Sequence, residues 1–93
     1  MSYILNFNLS VPESIQTDFI IWFKSFEKLK NKQLFKLYGK ANEGQIIFCI
    51  QEEVNTLQEL QLATSQITLI LRKELKNSFK EEIFFFSSAL ERI

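Results

Sequence analysis

With 93 residues, 46% of them hydrophobic and ten of them Phe, the chain has enough apolar material for one domain spanning residues 1–93. Eleven basic and eleven acidic side chains cancel, which argues against a dedicated nucleic-acid binder, where a basic domain is expected. Only two Gly and one Pro leave little room for linkers or low-complexity stretches.

The first element is a strand over Tyr3–Val11, where Tyr3, Leu5, Phe7, Leu9 and Val11 point one way and Ile4, Asn6, Asn8 and Ser10 the other. No basic leader precedes an apolar block here, so no signal peptide is read. No run approaches the ~20 apolar residues of a membrane span. Pro12 ends pairing and opens a helix over roughly Glu13–Asn31. Ile15, Phe19, Trp22, Phe23, Phe26 and Leu29 form its apolar stripe, with Ile21 on the opposite side.

Gln33–Lys40 and Gln45–Val54 read as a hairpin turning through Gly39, Asn42 and Gly44. Ile46, Phe48 and Ile50 share one side of its second strand; Ile47, Cys49, Gln51 and Glu53 share the other. Thr56-Leu57-Gln58-Glu59 is a capping-box sequence with Thr56 as N-cap. The helix it opens, roughly Leu57–Lys76, sets Leu57, Leu60, Thr64, Ile67, Leu71 and Leu75 on one stripe. Leu62 and Leu69, seven apart, form a second patch. Glu82–Ser88 closes the chain with the continuous apolar run of a strand buried on both faces.

Taken together, the order is β-α-β-β-α-β, the split βαβ or ferredoxin-like arrangement. It predicts an α+β fold, a four-stranded antiparallel sheet with two helices on one face. The last strand would then lie at an edge, yet it carries large apolar groups on both sides, so a second copy of the chain is the simplest cover.

Candidate chemistry is sparse. The chain has no His, which removes Ser-His-Asp and Cys-His catalysis, imidazole metal sites and the commonest general base. Cys49 is the only cysteine, so it forms no intrachain disulfide and no thiolate zinc site, and a reducing cytoplasm is the natural setting. Neither cofactor nor metal is expected. Glu52-Glu53 and Glu81-Glu82 would split across the two faces of strands and form no catalytic dyad.

The open face of the sheet is the place left for a ligand. Asn6, Asn8, Cys49 and Gln51 would line it, with Tyr38 or Lys36 from the hairpin partner, and could orient a small apolar ligand or meet a partner protein. A runner-up reading is a cofactor-independent enzyme in which Asn6, Asn8 and Gln51 orient an aromatic substrate near Tyr38 or Trp22. A third rests on Lys24, Lys28, Lys30, Lys32, Lys36 and Lys40, which with Glu27 give residues 24–40 a net charge of +5 and suggest an anion- or RNA-binding patch.

The alternating Tyr-Ile-Leu-Asn-Phe opening, the Glu13-Ser14-Ile15 helix start and Trp22 midway along helix one carry a further likeness. So do Gln45–Leu60 and Leu71–Ile93. Together they resemble a family of short bacterial proteins of unknown function. The resemblance implies the dimeric α/β-barrel form of the ferredoxin-like fold, and hence a homodimer. Two departures mark this chain as a divergent member. Ser25–Gln33 lacks that family's His-X-Pro segment, and Lys80-Glu81 stands where Gly-Asp is usual. Wider relatives of that fold include cofactor-free monooxygenases and haem-degrading enzymes, but shared fold is weak evidence for shared chemistry.

Overall fold

Strand β1, Tyr3–Pro12, is the centre on which the rest is laid. In the computed structural model, which describes residues 2–39 and 43–93, its odd residues Leu5, Phe7, Leu9 and Val11 are all buried. A turn of 3-10 helix at Glu13–Ile15 leads into α1, Gln16–Ser25. Then follow β2 (Gln33–Lys36), β3 (Gln45–Val54), α2 (Leu57–Ser78) and β4 (Phe84–Glu91). The four strands form one sheet in the order β2-β3-β1-β4, and every neighbouring pair is antiparallel. The protein is therefore α+β, a four-stranded antiparallel sheet with two helices.

Register decides which face each residue serves. Phe7 lies opposite Ile50 and Leu9 opposite Phe48, so one face of β1 and β3 is apolar along its length. Phe19 and Phe23 of α1 and Leu60, Ile67, Leu71 and Leu75 of α2 join these strand residues in a single buried cluster. Phe19 is its aromatic hub, with ring centroids 5.0 Å from Phe48, 5.8 Å from Trp22 and 6.3 Å from Phe79. Burying such rings supplies most of what holds the two layers together, since each hides 150–250 Å² or so of surface.

Both helix starts follow from local chemistry. Thr56 Oγ1 accepts from the Glu59 backbone N–H at 3.0 Å, and Glu59 Oε2 accepts from the Asn55 N–H at 3.4 Å, satisfying donors that a helix N-terminus leaves free. Pro12 precedes the 3-10 turn that leads into α1, with extended geometry and no side-chain cap, and it is still paired with Gln45. Gly44, just before Gln45, has φ +79°, a left-handed turn conformation that suits glycine, and its carbonyl accepts from the Glu13 N–H at 2.8 Å.

Several boundaries differ from the sequence reading. The first helix does not reach Asn31: Phe26 turns extended (ψ 116°) after Ser25, and the chain continues as separate turns. The Phe26 carbonyl accepts from both Leu29 and Lys30, so a helix-like spacing persists and Leu29 is still buried. Leu57, expected on the apolar stripe of α2, stands exposed at its first turn. In the hairpin, β2 pairs only over Gln33–Lys36, and Lys40 and Asn42 lie outside the described residues. Glu81 and Glu82 fall in the connection before β4, which starts at Phe84 and runs on to Glu91. The last strand is not covered on both sides. Phe85 packs toward Phe7 at 6.3 Å, whereas Phe84 and Phe86 are 63% and 64% exposed.

Candidate functional site: the open sheet face

The face of the sheet away from the helices carries a central polar ladder. Asn6 lies opposite Gln51 on β3 and Ser88 on β4; Asn8 lies opposite Cys49 and Phe86; Ser10 lies opposite Ile47 and Phe84. Side chains join across these positions. Gln51 Nε2 donates to Asn6 Oδ1 at 3.1 Å, and Asn6 Nδ2 donates to Ser88 Oγ at 3.3 Å. The Cys49 thiol donates to Asn8 Oδ1 at 3.1 Å, and the Ser10 hydroxyl donates to Gln45 Oε1 at 3.1 Å. Every one of these pairs links neighbouring strands, so the ladder fixes register as well as satisfying buried groups such as Asn6.

Apolar side chains flank the ladder on both sides. Phe84, Phe86 and Leu90 of β4 form one bank. Phe35, opposite Cys49, and Leu37, whose N–H donates to the Ile47 carbonyl at 2.9 Å, form the other. Each of these five residues is exposed in the single chain. Between the banks, at the hairpin end, lies a groove of about 310 Å³ lined by Asn8, Ser10, Leu37, Ile47 and the run Phe84–Phe86.

Of the residues expected here, Asn6, Asn8, Cys49 and Gln51 are brought together by β1 and β3. Tyr38 and Lys36 are not. Lys36 lies opposite Phe48, whose side chain belongs to the helix side, and its Nζ sits 5.7 Å from the Tyr38 ring centroid. Tyr38 stands largely in solvent beyond the paired part of β2. Trp22 packs among Phe19, Phe26 and Phe79 on the helix side, so it does not join Asn6, Asn8 and Gln51 either. The residues that sequence reasoning missed include Phe35 and Leu37 and, beyond the expected end of the last strand, Leu90. Pairing with β3 sets which parity of β2 faces outward, and the apolar residues on both parities of Leu34–Tyr38 give no such signal in the sequence.

Among the described lysines of this cluster, two are paired with carboxylates. Lys30 pairs with Glu27 at 3.0 Å and Lys32 with Glu52 at 2.7 Å. Lys28 and Lys32 share a cleft of about 520 Å³ against Ile67 and Ile70 of α2, but Glu52 lies in it too and offsets much of the charge. Lys24 lies in the last turn of α1, and Lys40 lies outside the described residues.

Burial pushes the Cys49 thiol up from the ordinary cysteine range. The folded chain therefore holds this proton more tightly than the unfolded chain does. The thiol's contribution to stability is complete below the ordinary thiol pKa, and it is lost as pH rises above that value toward the raised one. The urea midpoint of the native protein is accordingly expected to fall further between about pH 8 and 10 than that of a Cys49→Ser variant. Parallel midpoints for the two proteins would show that Cys49 is not desolvated.

Among the described residues no cluster of acidic or cysteine side chains has the spacing of a metal site, and no helix is long and apolar enough to cross a membrane. Residues 2–93 match the family described as "Domain of unknown function (DUF4286)", and the chain belongs to that family. No curated protein and no solved structure matches it.

Proposed function

We propose that this member of the DUF4286 family is a non-enzymatic, cytoplasmic association module of the ferredoxin-like type, which pairs with a second copy through its open sheet face and holds a small apolar ligand there. The observation that carries the reading is the double bank of exposed apolar side chains around a polar ladder that is already hydrogen-bonded within the chain. A face most of whose polar groups are paired across the strands, with Asn8 Nδ2 left as a donor, can be covered at modest desolvation cost, and its exposed rings gain by being covered.

The strand order, with β1 and β3 central and all neighbours antiparallel, supports the ferredoxin-like assignment, as do two helices that bury into one cluster on one side. Area supports the pairing. Four strands about 4.8 Å apart, paired over about eight residues of about 3.3 Å each, present roughly 500 Å² per copy. Two copies would bury about 1,000 Å² in total, the threshold of a specific interface. No comparable surface exists on α2, where Leu62 and Leu69 form a patch of only two large side chains.

Amide signals followed by nuclear magnetic resonance through a dilution series test this reading. Concentration-dependent shifts are expected at Asn8, Cys49, Ser88 and Phe86 and not at Leu62 and Leu69. Shifts confined to α2, or none at any concentration, would overturn it.

A further inference from the structure

We propose that the groove at the hairpin end of the sheet face binds an uncharged, flat aromatic compound bearing one hydrogen-bond acceptor, of the aryl ketone or aryl amide kind. This rests on the reading of the open sheet face as the binding surface and names what that surface takes.

The walls set the ring. Phe84 and Phe86, two residues apart on β4, stand on the same face, and Leu37 and Ile47 rise opposite them. Ile47 on β3 lies two inter-strand spacings from β4, about 9.6 Å, and Leu37, continuing β2, lies one spacing further out. The floor between them consists of the short side chains of Asn8 and Ser10. A planar ring laid over this floor meets phenyl groups on one flank and aliphatic groups on the other, contacts that favour aromatic over branched aliphatic ligands. A volume of about 310 Å³ is at the small end of ligand pockets, suited to a fused bicyclic ring and little more.

The polar groups set the rest. The lining of the groove is five apolar residues with one amide and one hydroxyl, and it includes no charged side chain. A charged ligand would lose its hydration there with nothing to replace it. Asn8 Oδ1 is taken by the Cys49 thiol, which fixes the amide with its Nδ2 as the remaining group. Among the described residues Nδ2 makes no hydrogen bond within the chain, so it offers a donor to an acceptor on the ligand. Ser10 donates to Gln45 and is left with lone pairs toward the groove, which tolerate a donor but do not demand one.

Fluorescence titration with the neutral naphthyl ketone prodan, beside a naphthalene sulfonate of the same ring system, tests the assignment. The native protein is expected to saturate with a blue-shifted prodan signal and to bind the sulfonate at least tenfold more weakly. Phe86→Ala, at a side chain whose exposure makes it dispensable for folding, is expected to weaken prodan at least tenfold. Asn8→Leu, which removes the donor, is expected to weaken it about five- to tenfold. Leu69→Gln on α2 is expected to change nothing. Absence of saturation, equal binding of the sulfonate, or insensitivity to Phe86→Ala would overturn the inference. Light scattering on the same samples separates it from the pairing: two chains without prodan binding overturns the ligand and leaves the pairing, and prodan binding sensitive to Phe86→Ala on a single chain does the reverse.

Discussion

Replacing Phe86 by glutamate is expected to abolish self-association while leaving the single chain folded. Phe86 lies in the middle of the proposed interface, opposite Asn8 on the central strand, and is 64% exposed without a partner copy. A carboxylate there costs the isolated chain little, because it projects into water. In the paired state it would be covered by the open face of a second copy, whose exposed apolar banks give a carboxylate nothing to replace its lost hydration. Stranding a charge in that setting costs several kcal/mol, so association should weaken at least about 100-fold. Circular dichroism should remain that of the native protein. A Phe86→Glu protein that still pairs as the native one does would place the contact elsewhere on the molecule.

The opposite pattern is expected for Phe19→Ala. Phe19 is fully buried and touches Trp22, Phe48 and Phe79, joining α1 to β3 and to the segment after α2. Removing its ring opens a cavity among side chains that cannot all collapse inward, at a cost of about 3–5 kcal/mol. For a domain of this size each kcal/mol lowers Tm by about 4–8 °C, so a fall of at least ~12 °C is expected in a thermal melt. Phe85, also aromatic but at the edge and only half-buried, should be far more tolerant of the same change. A loss below about 1 kcal/mol for Phe19→Ala would mean that the aromatic hub does not hold the two layers together.

The contrast between these two phenylalanines shows what was legible in the sequence. Alternation along Tyr3–Val11 assigned Phe7 and Leu9 inward and Asn6, Asn8 and Ser10 outward, and the structure places them so. Helical spacing placed Phe19 and Phe23 in the core, and Thr56 capped α2 as its motif required. The end of α1 was hidden for a physical reason. Turns closed on the Phe26 carbonyl repeat with the same three- and four-residue spacing as a helix, so Leu29 fits the stripe without belonging to the helix.

The outward phase of β2 was hidden for another. Leu34, Phe35, Leu37 and Tyr38 put apolar side chains on both parities, so a period of two does not select a face. Pairing with β3 selects it, sending Leu34 toward Ile50 and the core and Phe35 out beside Cys49. The two exposed banks of the site therefore arise from register, a property of the sheet rather than of either strand. Phe84 and Phe86 were visible as an apolar run, but only their place at the edge beside Asn8 and Ser10 turns them into the wall of a groove.

Light scattering of the native protein after size exclusion, across a wide range of dilution, bears most directly on the central claim. A mass of two chains is expected at high concentration, falling toward one on dilution, as an interface of about 1,000 Å², at the low end of the specific range, implies. A mass of one chain at every concentration would contradict pairing through the sheet face.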